Sequence, residues 1–450
     1  MLNVNFLELY LSVTFDLYEN DVNILSYLKS NVHKFNFLFR DTKHKVKFNL
    51  FEKDFIAENS HILNDDTFFS NSIIPRYYNY IISNPPYFKL QKNHMHSLLM
   101  QKVVHGQPNI YFFFMALSAL LLKDKGELVF ITPRSYCSGL YFKKFRKWFL
   151  DIVKPIYIHI FESRRETFNN DVLQEIIILK AKKLKCAPKT VKISQSVNSE
   201  FDKSKVIVTK YQSIIDPADK ETIIKIPSNK KDIDILNLIE SWPRKFSELG
   251  FRISTGPVVF FRAKKFISND DKVDGLTKVP LLWMHHIDSF QIKYPNFNLK
   301  KPQSIIVNSE SKKLLLVNKN YVLVKRFSSK EQNRRVYAAT YLKENIPTNY
   351  IGIENHLNYI WKPCGELSID EAYGIMGILN STLIDKYFRI INGNTQVNAT
   401  EINNMPFPDH ETIIEIGYNL KNIPTFDNIN FDQFIFDAIN PHLKMEGILN

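Results

Sequence analysis

The tetrapeptide Asn84-Pro85-Pro86-Tyr87 follows the apolar run Tyr80-Ile81-Ile82. Two successive prolines fix an extended backbone and remove two amide donors. The carbonyls there cannot be drawn into a helix, so the Asn84 side-chain oxygen and the Pro85 carbonyl stand as two fixed acceptors. Such a pair suits an exocyclic amino group, because it can grip the group and concentrate charge on its nitrogen. Tyr87 offers a flat face on which a base can stack. The plainer reading of the same four residues is a rigid turn after a strand, which Asn-Pro often makes.

Other groups are weaker candidates for chemistry. His94 and His96 are two apart and His285 and His286 are adjacent, but none has a companion Cys or acid at ligand spacing, so no metal site is expected. Ser135 and Ser138 have no convincing His and Asp partners for a hydrolase. Lys143, Lys144, Arg146 and Lys147 read as the solvated face of an amphipathic helix. Lys325-Arg326 and Arg334-Arg335 alternate with polar and aromatic residues where core periodicity is low, which suits contact with phosphates. Asn392, Asn394, Gln396 and Asn398 place four amides on one alternating face. Amides can read adenine edges in bidentate fashion, and a hydrogen-bonded structural loop is an equal reading.

The elements that must position these residues follow from periodicity. Residues 12–17, 45–50, 77–82, 127–132, 156–161 and 172–180 read as strands, and residues 109–123 and 143–151 as helices, with Lys125-Gly126 ending the first of these. Asp21 or Asn20 can cap a further helix through Ile24, Leu25 and Leu28. Strands alternating with helices predict a doubly wound, parallel α/β sheet, which binds ligands at the carboxyl ends of its strands. Glu19, Asp54 and Asn84 each fall at such an end. The alternation fades from about Lys182. Lysines 180, 182, 183, 185 and 189 form a basic connector, residues 194–205 read as linker, and a second domain is expected to begin near Trp242 or Gly250.

With 450 residues the chain has room for two or three domains. Apolar residues at 44% and charged residues at 23% exclude a disordered chain. Cys137, Cys186 and Cys364 lie far apart, which argues against a zinc ribbon, an iron–sulfur cluster or a disulfide scaffold. The longest apolar run, residues 111–122, falls short of the roughly 20 residues that span a bilayer. Residues 1–10 carry no Lys or Arg, so a secretory signal is not expected and the chain reads as a soluble intracellular protein. The net charge is +13, but residues 401–450 carry −6 and the preceding 400 residues +19. A basic body with an acidic tail points to a polyanionic partner, most simply nucleic acid.

Beside this reading stands a resemblance. Asn84-Pro85-Pro86-Tyr87 resembles the catalytic motif of amino-group DNA methyltransferases, and Ile81-Ile82-Ser83 and Phe88 around it resemble the adenine-N6 branch. Leu17-Tyr18-Glu19-Asn20-Asp21 is similar to the acidic strand end that holds the ribose of S-adenosylmethionine. Lys53-Asp54-Phe55 resembles the acidic position that reads the cofactor's adenine. Residues 126–135 look like the strand and turn after the catalytic motif, and Phe168 sits where the family places a second aromatic against the flipped base. Residues 252–259, 324–331, 354–359 and 392–400 resemble the specificity region of PstI/BsuBI-type modification methylases. The likeness covers about residues 12–410.

The resemblance implies a Rossmann-like S-adenosylmethionine-dependent catalytic domain over residues 1–185, a bridging segment over 186–240 and a mixed α+β target-recognition domain over 241–410. An acidic tail over 411–450 follows. It implies catalysis by Asn84, Pro85, Pro86 and Tyr87, cofactor contacts from Glu19 and Asp54, and base stacking by Tyr87 and Phe168. Arg252, Lys325, Arg326, Arg334, Arg335, Asn392, Asn394, Gln396 and Asn398 are the expected DNA contacts. Double-stranded DNA is the expected partner, with a cognate restriction endonuclease encoded nearby. The chain departs from the family in one respect: its first glycine is Gly106, so the family's first strand and glycine-rich turn have no counterpart before Glu19. The expectation is an N-terminally truncated chain, arising from a late start, a frameshift or a split gene. The alternatives are an inactive DNA-binding remnant and a methyltransferase acting on protein glutamine or RNA.

Overall fold

The structure is a computed structural model, and it describes residues 11–63, 75–103, 108–161, 175–196, 204–268, 273–328, 332–426 and 429–439. The chain divides into two compact units. The first comprises Met1–Thr132, Lys144–Pro155 and Ile178–Ala187; the second comprises Pro133–Lys143, Ile156–Ile177 and Pro188–Asn450.

In the first unit, β1 (Ser12–Tyr18) and β2 (Lys45–Phe51) run parallel, with Tyr18 opposite Phe51. The crossover between them is helix α1 (Val22–Phe39), which starts where the Asp21 carboxylate accepts from Asn23 N at 2.8 Å. Helix α2 (Phe55–Asn59) starts in the same way on Asp54, which accepts from Ala57 N at 2.8 Å. A second sheet places β3 (Tyr78–Ser83) parallel to β4 (Leu122–Pro133), with β6 (Ile176–Lys183) on the other side of β4. Helix α4 (Tyr111–Leu121) is apolar nearly all round and is buried along most of its length. Helix α3 (Met95–Leu99) precedes it, and α5 (Lys143–Ile152) packs Phe145 against Phe112, their ring centres 4.9 Å apart.

Two expectations for this unit change. Lys125-Gly126 does not end a helix. The helix stops at Leu121, and Lys125, at φ +64°, sits inside β4 where the β3–β4 register shifts between Tyr78 and Tyr80. The pair marks a β-bulge, which takes the same residue types as a helix stop. Arg146 does not lie on a solvated face. It is fully buried, on the side of α5 that also carries Phe149 and Leu150.

In the second unit, the part of β5 (Val153–Phe161) from Tyr157 on runs parallel to β7 (Thr190–Ser196), and β7 pairs antiparallel with β8 (Lys205–Lys210). The bridging segment expected over residues 186–240 thus holds two strands. Further on, strands Arg252–Thr255, Leu357–Trp361, Tyr321–Lys325 and Ala338–Tyr341 form successive antiparallel neighbours. Their inner faces meet helices Lys230–Glu240, Ile369–Leu379 and Thr382–Ile391 in one core. The acidic C-terminal stretch contributes two helices to that core, His410–Lys421 and Phe431–Ile439. Gly417 permits this packing, because a Cβ there would stand 1.7 Å from the Asp370 carbonyl oxygen. Among the described residues no helix is long and apolar enough to cross a membrane.

Candidate active site and nucleic-acid interface

Within the first unit, three strand ends carry the expected polar groups. Glu19 follows β1 and its backbone N donates to Phe51 O at 3.1 Å, which continues the β1–β2 ladder by one bond. Its Oε1 accepts from the backbone N of Asn20 and of Asp21, both at 2.8 Å, so the carboxylate is locked against its own turn. The Asn20 amide donates to Asp54 Oδ2 at 3.3 Å, tying the ends of the two strands together. His96 Nε2 lies 3.2 Å from the same oxygen.

S-adenosylmethionine fits this pair unequally. Glu19 is half-buried, and among the described residues its Oε2 has no partner, which suits two ribose hydroxyls. Asp54 caps α2 with one oxygen and meets Asn20 and His96 with the other, so it shapes the turn rather than offering a free acceptor. Beside them Tyr18 stacks on Phe51 at 4.8 Å, and Phe55 stacks on Phe114 at 5.4 Å.

Asn84 follows β3 directly and is exposed, while Pro85 is buried and anchors the turn. Tyr87 is half-buried. Its hydroxyl lies 2.6 Å from Asn84 Oδ1 and 2.7 Å from the carbonyl of Ile131 on the neighbouring strand β4. One phenolic proton serves two acceptors, so the hydroxyl donates to one at a time. Burial pushes the Tyr87 phenol up to about 12. Tyr111 meets the Tyr87 ring edge-on at 6.0 Å, which leaves the orientation of that ring fixed by packing as well as by hydrogen bonding. Phe168 lies outside the described residues.

The second unit holds the expected DNA contacts, and the structure sorts them. Arg252 is exposed, with Nη1 donating to the carbonyls of Ser247 at 2.6 Å and Phe251 at 2.8 Å. Lys325 lies over the Tyr337 ring at 4.4 Å, and burial lowers its ammonium. Arg326 is half-buried, donates to Asn355 O at 3.1 Å and stacks on Phe327. Arg334 is half-buried, donates to Asn380 O and lies over Phe290.

Arg335 corrects the expectation. It is 1% exposed, with Nε on Ser328 Oγ at 3.1 Å and Nη2 on Asn394 O, and burial brings its guanidinium down to about 10. Asn392 is likewise buried. It donates to Glu401 Oε2 at 2.7 Å and to Gln396 O at 2.9 Å. Asn398 forms a capping box with Glu401 at the start of helix Ala399–Asn404. Neither Arg335 nor Asn392 is placed to meet a ligand, because internal acceptors and donors already hold both. Asn394 and Gln396 remain half-buried with side-chain amides unpaired among the described residues.

Sequence reasoning missed Glu401 and the pair Arg134–Glu175, and it weighed His96 only as a metal ligand and not as a neighbour of Asp54. Arg134 and Glu175 are both 4% exposed and joined at 2.8 Å, and Arg134 also donates to the carbonyls of Arg389 and Ile390. Only Glu401 left a local signal, the Asn398-x-x-Glu401 spacing of a capping box. No cluster of three or more potential metal ligands occurs among the described residues.

Comparison with known proteins bears on the family of the chain. Residues 3–168 match the family model of the Eco57I restriction-modification methylase. The type II methyltransferase M.BsuBI of Bacillus subtilis is 37% identical over 396 residues, covering 84% of this chain and 77% of the relative. The type II methyltransferase M.PstI of Providencia stuartii is 36% identical over 363 residues, covering 80% of this chain and 71% of the relative. Among solved structures, the type IIL restriction-modification enzyme MmeI aligns with 82% of this chain and 55% of its own at 10% identity and a TM-score of 0.49. Two relatives at this identity, each covered over more than two thirds of its length, place the chain in a family: it belongs to the PstI/BsuBI-type modification methyltransferases.

Proposed function

We propose that the chain methylates adenine at N6 in a specific duplex DNA sequence, as the modification enzyme of a restriction–modification system. The observation that carries this reading is the turn after β3, where an exposed Asn84 precedes a buried Pro85 and a ring-locked Tyr87. S-adenosylmethionine, when bound, supplies a methyl group on a sulfonium. Glu19 would hold its ribose through Oε2, and Asp54 keeps the neighbouring turn in shape.

The target adenine must leave the helix to reach Asn84, which costs a few kcal/mol of unstacking. Tyr87 receives the base on its face, with Phe168 as the expected second aromatic. Asn84 Oδ1 and the Pro85 carbonyl accept from the two N6 hydrogens, which raises charge on nitrogen and aims its lone pair at the methyl carbon. The donor would supply the methyl group and leave as the neutral thioether, and the N6 proton released by the substitution would pass to solvent water. No covalent bond to the enzyme is needed, so the protein contributes position and charge placement. Arg252, Lys325, Arg326 and Arg334 approach phosphate, and a restriction endonuclease of the same specificity is the functional counterpart.

The test is Asn84→Ala beside wild type, with methyl transfer and duplex affinity measured on the same samples. Loss of transfer with affinity retained supports the role, and wild-type turnover rules it out. A second reading, a DNA-binding chain that does not hold the cofactor, is favoured by Asp54, whose two oxygens are already taken up by Ala57 N, Asn20 and His96. Calorimetry separates the two. Micromolar S-adenosylmethionine binding by residues 1–450 excludes the second reading, and no binding favours it.

A further inference from the structure

Residues 392–398, between helices Thr382–Ile391 and Ala399–Asn404, form neither a helix nor a ladder strand. Four successive carbonyls of this loop are nevertheless each held by a different donor. Asn394 O accepts from Arg335 Nη2, Thr395 O from Ser328 N at 3.0 Å, Gln396 O from Asn392 Nδ2 at 2.9 Å, and Val397 O from Asn358 Nδ2 at 2.8 Å. Glu401 closes the set, accepting from Asn392 Nδ2 at 2.7 Å and from Asn398 N at 3.0 Å. A Cβ on Gly393 would come within 2.7 Å of Arg134 Cδ and 2.8 Å of Glu175 Oε2, so the Arg134–Glu175 pair fits only against glycine.

Arg134, Glu175, Arg335 and Glu401 are each at most 5% exposed, and all four meet this one loop or its flanks. Buried charge is costly unless it is fully paired, and a well-packed apolar cluster would hold a loop at lower cost. Polar fixing of this kind is expected where side chains must be presented within a fraction of an ångström. The side chains so presented are Asn394 and Gln396. Both are half-buried, and among the described residues neither amide has a hydrogen-bond partner. Asn392 and Asn398, which share the same alternating pattern, are instead tied to Glu401.

We infer that Gln396 and Asn394 read adenine edges in the recognition sequence, and that Glu401 is the positioning residue that fixes the loop carrying them. A Gln or Asn amide bonds adenine N6 and N7 together, and the fixed carbonyls set where that amide points. The inference rests on the reading of the chain as a sequence-specific DNA methyltransferase.

The experiment is selection from a pool of duplexes randomised over about eight base pairs, using the full chain and the variants Gln396→Ala, Gln396→Glu, Asn394→Ala and Glu401→Gln. Thermal melting confirms that each is folded. Wild type should enrich a defined motif. Gln396→Ala should lose about 5- to 150-fold of preference at one A·T pair and keep the others. Gln396→Glu preserves shape but presents only acceptors, so preference at that pair should move towards cytosine, whose N4 donates. Glu401→Gln turns a donor towards Asn392 and Asn398, and should blur the Gln396 and Asn394 positions alone. An unchanged motif in Gln396→Ala and Gln396→Glu would overturn the assignment, and an equal loss at every position in Glu401→Gln would overturn its positioning role. A wild-type chain that enriches nothing contradicts sequence-specific DNA recognition itself, and the inference falls with it.

Discussion

Tyr87 combines two roles that substitution can separate. In the proposed mechanism its ring is the stacking face, and its hydroxyl orients the Asn84 amide through Oδ1. Tyr87→Phe removes one neutral hydrogen bond, about 1 kcal/mol, and should lower kcat/KM by roughly fivefold. Tyr87→Ala removes the face as well, about 1–3 kcal/mol more. Steady-state kinetics on both variants checks the order, and a Tyr87→Phe enzyme slower than Tyr87→Ala would contradict it. Glu401 gives a second prediction at this scale. Burial pushes its carboxyl up to about 7, against the donors from Asn398 and Asn392 that pull it down. A carboxyl raised on folding contributes stability that is complete below its unfolded value of 4.5 and is lost as pH rises through about 7. Urea melts should therefore show wild type losing up to about 3 kcal/mol relative to Glu401→Gln between about pH 5 and pH 8. Parallel stability curves would contradict this.

At the scale of elements, the strand ends were legible and the burial of charge was not. Glu19, Asp54 and Asn84 were readable as strand ends because alternation locates where a strand stops, and the parallel pair β1–β2 brings the first two of those ends together. The capping role of Asp54 was not foreseen, since the same acid can cap a helix or face a ligand. Lys125-Gly126 was misread because a bulge and a helix stop favour the same residues. Arg335 looked like a phosphate contact, yet its neighbours Ser328 and Asn394 come from other parts of the chain that no local pattern reveals. Arg335→Ala should thus act on stability, costing about 1–3 kcal/mol because the buried Ser328 hydroxyl and Asn394 carbonyl lose their donor, with no change in the salt dependence of DNA binding. Denaturant unfolding and salt titration of the variant test both halves. Gly417→Ala should also destabilise, by about 1–3 kcal/mol, because its methyl would collide with the Asp370 carbonyl; an unchanged urea midpoint would show that helix His410–Lys421 is free to shift.

At the scale of the whole molecule, charge and family agree. The first 400 residues carry +19, which suits a chain that holds phosphates before it selects a sequence. Duplex binding should weaken with salt, each neutralised phosphate adding about −0.9 to the slope of log K against log salt. Salt-insensitive binding would argue against a phosphate interface. The central claim is narrower than binding: that this chain delivers a methyl group to adenine N6 through Asn84. The most direct measurement incubates the chain with methyl-labelled S-adenosylmethionine and duplex DNA, digests the DNA to nucleosides and asks which one carries the label. The account predicts N6-methyldeoxyadenosine from wild type and none from Asn84→Ala. Label in N4-methyldeoxycytidine, or in adenine at the wild-type rate without Asn84, would contradict it.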